Sequence, residues 1–107
     1  MGCDQVINYM RMILSDSDLG RIDCYAGEDG MIYMELDLHG LSCKQAERFL
    51  KNAICVNRGA FVINAIHGFN HGTVIKRMIM KNNLSNRISR RYSPDWNPGQ
   101  TYLTIAA

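Results

Sequence analysis

The sequence predicts an α/β fold: a two-layer sandwich with a β-α-β-α-β-β core behind an N-terminal extension. Three observations carry that prediction. The runs "MIYMELDL" and "QTYLTIA" alternate apolar and polar residues with the period of two that a strand imposes. Between them, Ala46, Phe49, Leu50, Ala53 and Ile54 recur at helical spacing. A second apolar run, "AFVINAI", follows that helix closely, as parallel strands joined by a crossover helix require. Residues 1–30 form the extension, a short helix and a strand, and residues 31–107 the α/β domain.

Taken in order, "DQVINYMRMIL" carries Val6, Met10 and Ile13 at helical spacing and reads as a short helix. "SDSDLG" reads as a loop. "RIDCY" and "MIYMELDL" are strand-like runs around the turn residues of "AGEDGM", a hairpin or a long lead into the second run. In that second run Ile32, Met34, Leu36 and Leu38 share one face, and Tyr33, Glu35, Asp37 and His39 the other. One polar face argues for a sheet covered by helices on a single side.

Ser42 and Gln45 fit a capping box at the start of the amphipathic helix, and Gly59 is placed to close it. After "AFVINAI", a second helix starts near Thr73, with Val74, Ile75, Met78 and Ile79 as its inner stripe. "RISRRY" is a basic strand, and "SPDWNPG" a loop held by two prolines and a glycine. The last strand sets Tyr102 and Thr104 against Leu103 and Ile105. Trp96, in that proline-flanked loop, either packs on its own domain, the commoner use, or stacks on unpaired bases.

The 107 residues suffice for one domain with a modest core. No apolar run approaches the ~20 residues of a membrane helix, so no membrane contact is expected. The start lacks a cleavage site after an apolar core, and Val6 stands where an acylation signal wants Ser or Thr. Cys3, Cys24, Cys43 and Cys55 show neither C-x-x-C nor metal-finger spacing, which suits half-buried thiols in a reducing cytoplasm. Charge is unevenly spread. Residues 1–37 hold two basic residues against eight acids, a net −6, and residues 38–107 hold ten against two, a net +8. A basic body behind an acidic leader suggests a polyanionic partner.

Both strand-like runs of the β-α-β unit stop at His-Gly, in "ELDLHG" (35–40) and "AIHGFNHG" (65–72). Parallel strands end on one edge of the sheet, where open α/β sheets bind ligands. Asp37, His39, His67 and His71 are therefore expected to converge. Gly40, Gly68 and Gly72 let the backbone turn sharply or a phosphate approach it, and the second loop opens a helix whose N-terminus favours an anion. A lone histidine at a strand end is more often a hydrogen-bonded structural residue. The pairing of two such ends is what points to a site.

These residues resemble the Smr (small MutS-related) domain family. The resemblance rests on Leu36-Asp37-Leu38-His39-Gly40, Gln45-Ala46-Glu47, Ile66-His67-Gly68 and the closing run 99–105, and covers about residues 34–107. It departs from the family pattern at Asn70, which replaces a glycine, at Ile75, which stands where an arginine falls, and at Gln100, which replaces an alanine. The resemblance implies a fold similar to the C-terminal domain of bacterial translation initiation factor three. It also implies binding to DNA or RNA and, as in many members, endonuclease cleavage.

On that reading Asp37, His39 and His67 are the catalytic candidates. His39 or His67 moves protons, and Asp37 orients a histidine or helps hold a divalent ion. Gly68, Asn70, His71 and Gly72 cradle a phosphate with Lys76 and Arg77, and Arg91 adds to the binding surface. Arg87, Arg90 and Arg91 form the alternative basic face. No cofactor is required outright, and a divalent ion, magnesium or manganese, is the one left open. Two other readings share the same residues: a nucleic-acid-binding module without cleavage, and a protein-interaction adaptor that uses the acidic segment.

Overall fold

Five strands form one mixed sheet in the order β1-β2-β3-β5-β4. The elements run α1 (Cys3–Arg11), α2 (Asp16–Leu19), β1 (Ile22–Ala26), β2 (Ile32–Asp37), α3 (Cys43–Val56), β3 (Phe61–Ile66), α4 (Gly72–Lys81), β4 (Ile88–Tyr92) and β5 (Gln100–Ile105). The structure is a computed structural model. It describes residues 2–68, 72–81 and 84–107, with residues 72 and 73 described in their backbone alone. β2 and β3 are parallel, as the crossover through α3 demands, and the other neighbours pair antiparallel. The expected order after residue 30 is thus the observed one, and the first two strands form a hairpin.

Alternation decides what each face of the sheet meets. Met34, Leu36, Ile63, Ala65, Leu103 and Ile105 point to one side and are fully buried. They share a core with Phe49, Leu50, Ala53 and Ile54 of α3 and with Ile75, Met78 and Ile79 of α4. On the opposite side Glu35, Asn64, Tyr102 and Tyr92 follow one another in register across β2, β3, β5 and β4, and Tyr25 and Tyr33 pair in the adjacent row. The helices that supply the core sit on one face only.

α3 starts where the sequence indicates. Ser42 Oγ accepts the Gln45 N–H at 3.1 Å, and Gln45 Oε1 accepts the Ser42 N–H at 3.0 Å. A cap of this kind typically contributes ~1 kcal/mol. Its other end differs from expectation. The helix stops at Val56, and Asn57 is extended, with its side chain donating to the Ala53 carbonyl at 2.7 Å. Gly59 turns with φ +56 beyond the cap, so it redirects the chain without capping the helix.

Two further readings change. "SDSDLG" is not all loop: Ser15 Oγ accepts the Asp18 N–H and starts the single turn of α2. Val74 is 57% exposed, because Ile75, Met78 and Ile79 already fill the ~100° stripe that a helix turns to its core. The acidic N-terminal segment, read as an extension with a short helix and a strand, has both elements and packs into the common core. Val6 and Met10 of α1 are fully buried in the common core, and β1 pairs with β2 along its whole length. The Cys3 and Cys24 thiols of these two elements meet at 3.0 Å. Burial, chiefly, pushes the Cys24 thiol up to about 12.

Among the described residues no helix is long and apolar enough to cross a membrane.

Candidate functional site

The first His-Gly turn is built by backbone bonds that its sequence dictates. Leu38 N–H donates to the Ile66 carbonyl and so extends the parallel pairing one step beyond Asp37 and Ile66. The chain then reverses: Leu41 N–H returns to the Leu38 carbonyl at 3.1 Å, with Gly40 third in the turn at φ +82. Positive φ at that position is the type II signature and favours glycine. Asp37 Oδ1 accepts the His39 N–H at 3.1 Å and locks the corner. Arg21 holds it from outside, since its Nη1 donates to the carbonyls of Asp37 at 3.0 Å and His39 at 2.9 Å.

The second turn leaves β3 beside the first. His67 and Gly68 N–H groups both donate to the Gly99 carbonyl at 3.0 Å, and Gly68 has φ +83. A Cβ at Gly68 would stand 3.6 Å from Cδ2 of His39, so the His39 ring lies over this glycine. The His39 side chain is exposed. A cavity of about 260 Å³ opens beside the second turn, lined by Glu35, Ile66, Gly68, Asn97, Gly99 and Gln100.

His67 has a different environment. It continues the inward phase of Phe61, Ile63 and Ala65 and is only 2% exposed. Its Nδ1 lies 3.1 Å from the Gly68 carbonyl and its Nε2 3.0 Å from Thr101 Oγ1. A carbonyl only accepts, so the neutral ring carries its proton on Nδ1, and Nε2 accepts from the Thr101 hydroxyl. Burial, chiefly, lowers the His67 pKa below its ordinary 6.5. The Lys76 charge acts the same way, against the Gly68 hydrogen bond.

The neutral ring therefore adds stability that is fully present above pH 6.5 and lost as pH falls through that value toward the lower folded pKa. Urea midpoints measured from about pH 8 down to about pH 5 should fall more steeply for the native chain than for His67→Gln. Parallel curves would remove His67 as the cause.

Asp37, His39 and His67 thus end at one edge of the sheet, with His39 facing out and His67 facing in. Lys76 stands close enough to His67 to act on its charge, and Arg77 is exposed on α4. Gly72 opens that helix. Asn70 and His71 lie outside the described residues. Arg91 is not part of this cluster. From β4 it pairs with Leu103 of β5, and its Nε donates to the Ile79 carbonyl at 2.9 Å, which ties the sheet to α4. Ile75, where the family pattern has an arginine, is 3% exposed within the core, so a cation has no room there and Lys76 is its neighbour on the sequence.

Two contributors escaped the sequence reading. Thr101 did carry a signal, as a polar residue in phase with buried Leu103 and Ile105. Arg21 carried none, because it acts on backbone atoms sixteen and eighteen residues away.

Among the described residues no group of three or more His, Cys, Asp or Glu converges to hold a metal ion. Asp37 accepts the His39 N–H on Oδ1 and keeps its second oxygen as a donor among the described residues. The site as described is a histidine over a glycine turn, with cations on the adjoining helix, on a mixed α/β fold. No protein-family model matches the chain, and no curated protein matches it.

Proposed function

We propose that this chain is a small cytoplasmic nucleic-acid-binding protein of the Smr type that cleaves phosphodiester bonds, with a fold similar to the C-terminal domain of bacterial translation initiation factor three. The observation that carries the reading is the exposed His39 ring lying over the side-chain-free, left-handed turn at Gly68. The missing Cβ at Gly68 lets the His39 ring rest against the turn, and a backbone phosphate is received at the exposed side of that ring. Lys76 and Arg77 face its charge. His39 accepts the proton of the attacking oxygen as the new bond to phosphorus forms; the bond to the leaving oxygen breaks, and that oxygen keeps the electron pair and takes a proton from solvent. Asp37 acts through the corner it holds, and His67 acts by keeping the second turn in place through Gly68 and Thr101.

Incubating purified protein with labelled single- and double-stranded DNA and RNA, with and without magnesium or manganese, tests the proposal. Time-dependent shortening that is lost in the His39 variant supports it. Intact substrate under every condition sinks the cleavage reading.

Binding without cleavage is the second reading. It is favoured by the burial of His67, which leaves His39 as the one exposed histidine among the described residues. Both readings place phosphate near α4. Replacing Lys76 and Arg77 with Ala should weaken binding alike for all sequences. It should also reduce the slope of log affinity against log salt by about 1.4 to 1.8, two contacts' worth. An unchanged slope in the double variant would move the phosphate contacts elsewhere.

A further inference from the structure

The face of the sheet opposite the helices carries aromatic rings and, among the described residues, no helix. Tyr25 and Tyr33 stack at 5.4 Å between centroids with 5° between planes, and Tyr92 and Tyr102 at 6.3 Å with 29°. Arg90 lies over the Tyr92 ring, 5.5 Å from its centroid, and forms no ion pair among the described residues. Trp96 is 73% exposed and Tyr92 46%. A shallow cavity of about 430 Å³ is lined by Tyr33, Arg90, Tyr92, Trp96 and Tyr102. Val62 and Thr104 form its floor.

We infer that this face, on its β5–β4 half, is a stacking platform for the unpaired bases of single-stranded nucleic acid and that it delivers the strand to the His39–Gly68 turn. The inference rests on the nucleic-acid reading above and names the substrate form for it. Exposed rings with an arginine beside them are what unpaired bases and their phosphates require, since every base has a π-face and the cation meets the backbone.

Charge selects both the occupant and its track. On the β5–β4 half the open face carries Arg90 beside Tyr92 and Trp96, while Arg87 and Arg91 are held by backbone carbonyls elsewhere. Asp23 lies on the same face on the edge strand β1, at the far side of the sheet from β4, and its charge disfavours a phosphate chain there. The strand is thereby kept to the Arg90 side.

The platform also runs into the site. Gln100 and Tyr102 are successive open-face residues of β5, roughly 7 Å apart, and Gln100 lines the cavity beside Gly68. Asn64 sits between Glu35 and Tyr102 in register, with its Oδ1 unpartnered among the described residues.

Trp96 is the sole tryptophan, so its emission reports on this face alone. The test titrates the protein with oligouridylate, oligodeoxythymidylate and a duplex of equal length. Quenching by either single strand, with weaker quenching by the duplex, is the expected result. Tyr92→Ala should weaken single-strand binding roughly 5- to 100-fold, and Tyr92→Phe, which keeps the ring, should restore it. Tyr92 lies outside the core, and the circular dichroism of both variants should match the native chain.

Tight duplex binding with no Trp96 response overturns the platform and leaves the nucleic-acid reading standing. Failure to bind any nucleic acid overturns both. Self-association that Trp96→Ala abolishes, without quenching by oligonucleotides, would assign the face to a second copy of the chain and overturn the platform.

Discussion

Replacing His39 with alanine is expected to lower cleavage of labelled nucleic acid ~100- to 10,000-fold, the usual contribution of a proton-transferring side chain. Binding and fold should survive, for reasons specific to this corner. The anchors of the turn are main-chain atoms: the His39 N–H on Asp37 Oδ1 and the His39 carbonyl on Arg21. Alanine keeps both. The ring is exposed, so the core does not sense its loss. What disappears is the imidazole over Gly68.

Asp37→Asn makes the companion measurement. Asparagine keeps an oxygen that can accept the His39 N–H, so the corner should hold while the charge is lost. Activity near the native level would identify Asp37 as a turn residue whose charge is dispensable. A loss comparable to that of His39→Ala, with unchanged affinity, would make the carboxylate part of the chemistry. Should His39→Ala cut at the native rate, the proton is moved by another group and the proposal for His39 fails.

Local periodicity made much of this molecule legible. The alternation of β2 and β5, the stripe of α3 and its Ser42–Gln45 box are patterns within single segments, and each survives intact in the structure. The parallel pairing that sets the two His-Gly turns side by side followed from one crossover rule. The burial of His67 could also have been read, since it continues the phase of Ile63 and Ala65. So could α2, where Ser15 stands three residues before Asp18 as a helix cap does. The remainder was illegible for a common reason: it depends on side chains that reach backbone carbonyls far along the chain. Arg21 and Arg87 look in sequence like any surface arginine, and Arg87 looked like part of a binding face. Their partners become neighbours only after the sheet has formed.

Arg87→Ala is accordingly expected to be among the most destabilising changes at a polar position of this chain, at about 2–4 kcal/mol. Its guanidinium has five N–H donors, and each meets a carbonyl. Nε reaches Ala106 at 2.9 Å, Nη1 reaches Ile54 at 2.6 Å and Asn57 at 2.9 Å, and Nη2 reaches Gly59 at 2.9 Å and Arg58 at 3.4 Å. One side chain thus satisfies the end of α3, the turn into β3 and the chain just after β5. It also meets the carbonyls of a helix C-terminus with positive charge, the favourable sign for the helix dipole. Hydrogen bonds to charged groups are worth about 1.5–3 kcal/mol each in net terms. The sum over five is reduced because Arg87 is half-buried and water replaces part of what is lost. For a domain of this size the change corresponds to a fall of roughly 10–25 °C in Tm. Arg87→Lys should recover less than half of it, since an ammonium cannot reproduce the planar fork. Arg90→Ala, on the exposed face, should stay within about 0.5 kcal/mol of the native chain. Thermal melts of the three variants decide the matter: an Arg87→Ala protein melting within a few degrees of the native one would mean that water serves those carbonyls as well as the guanidinium does.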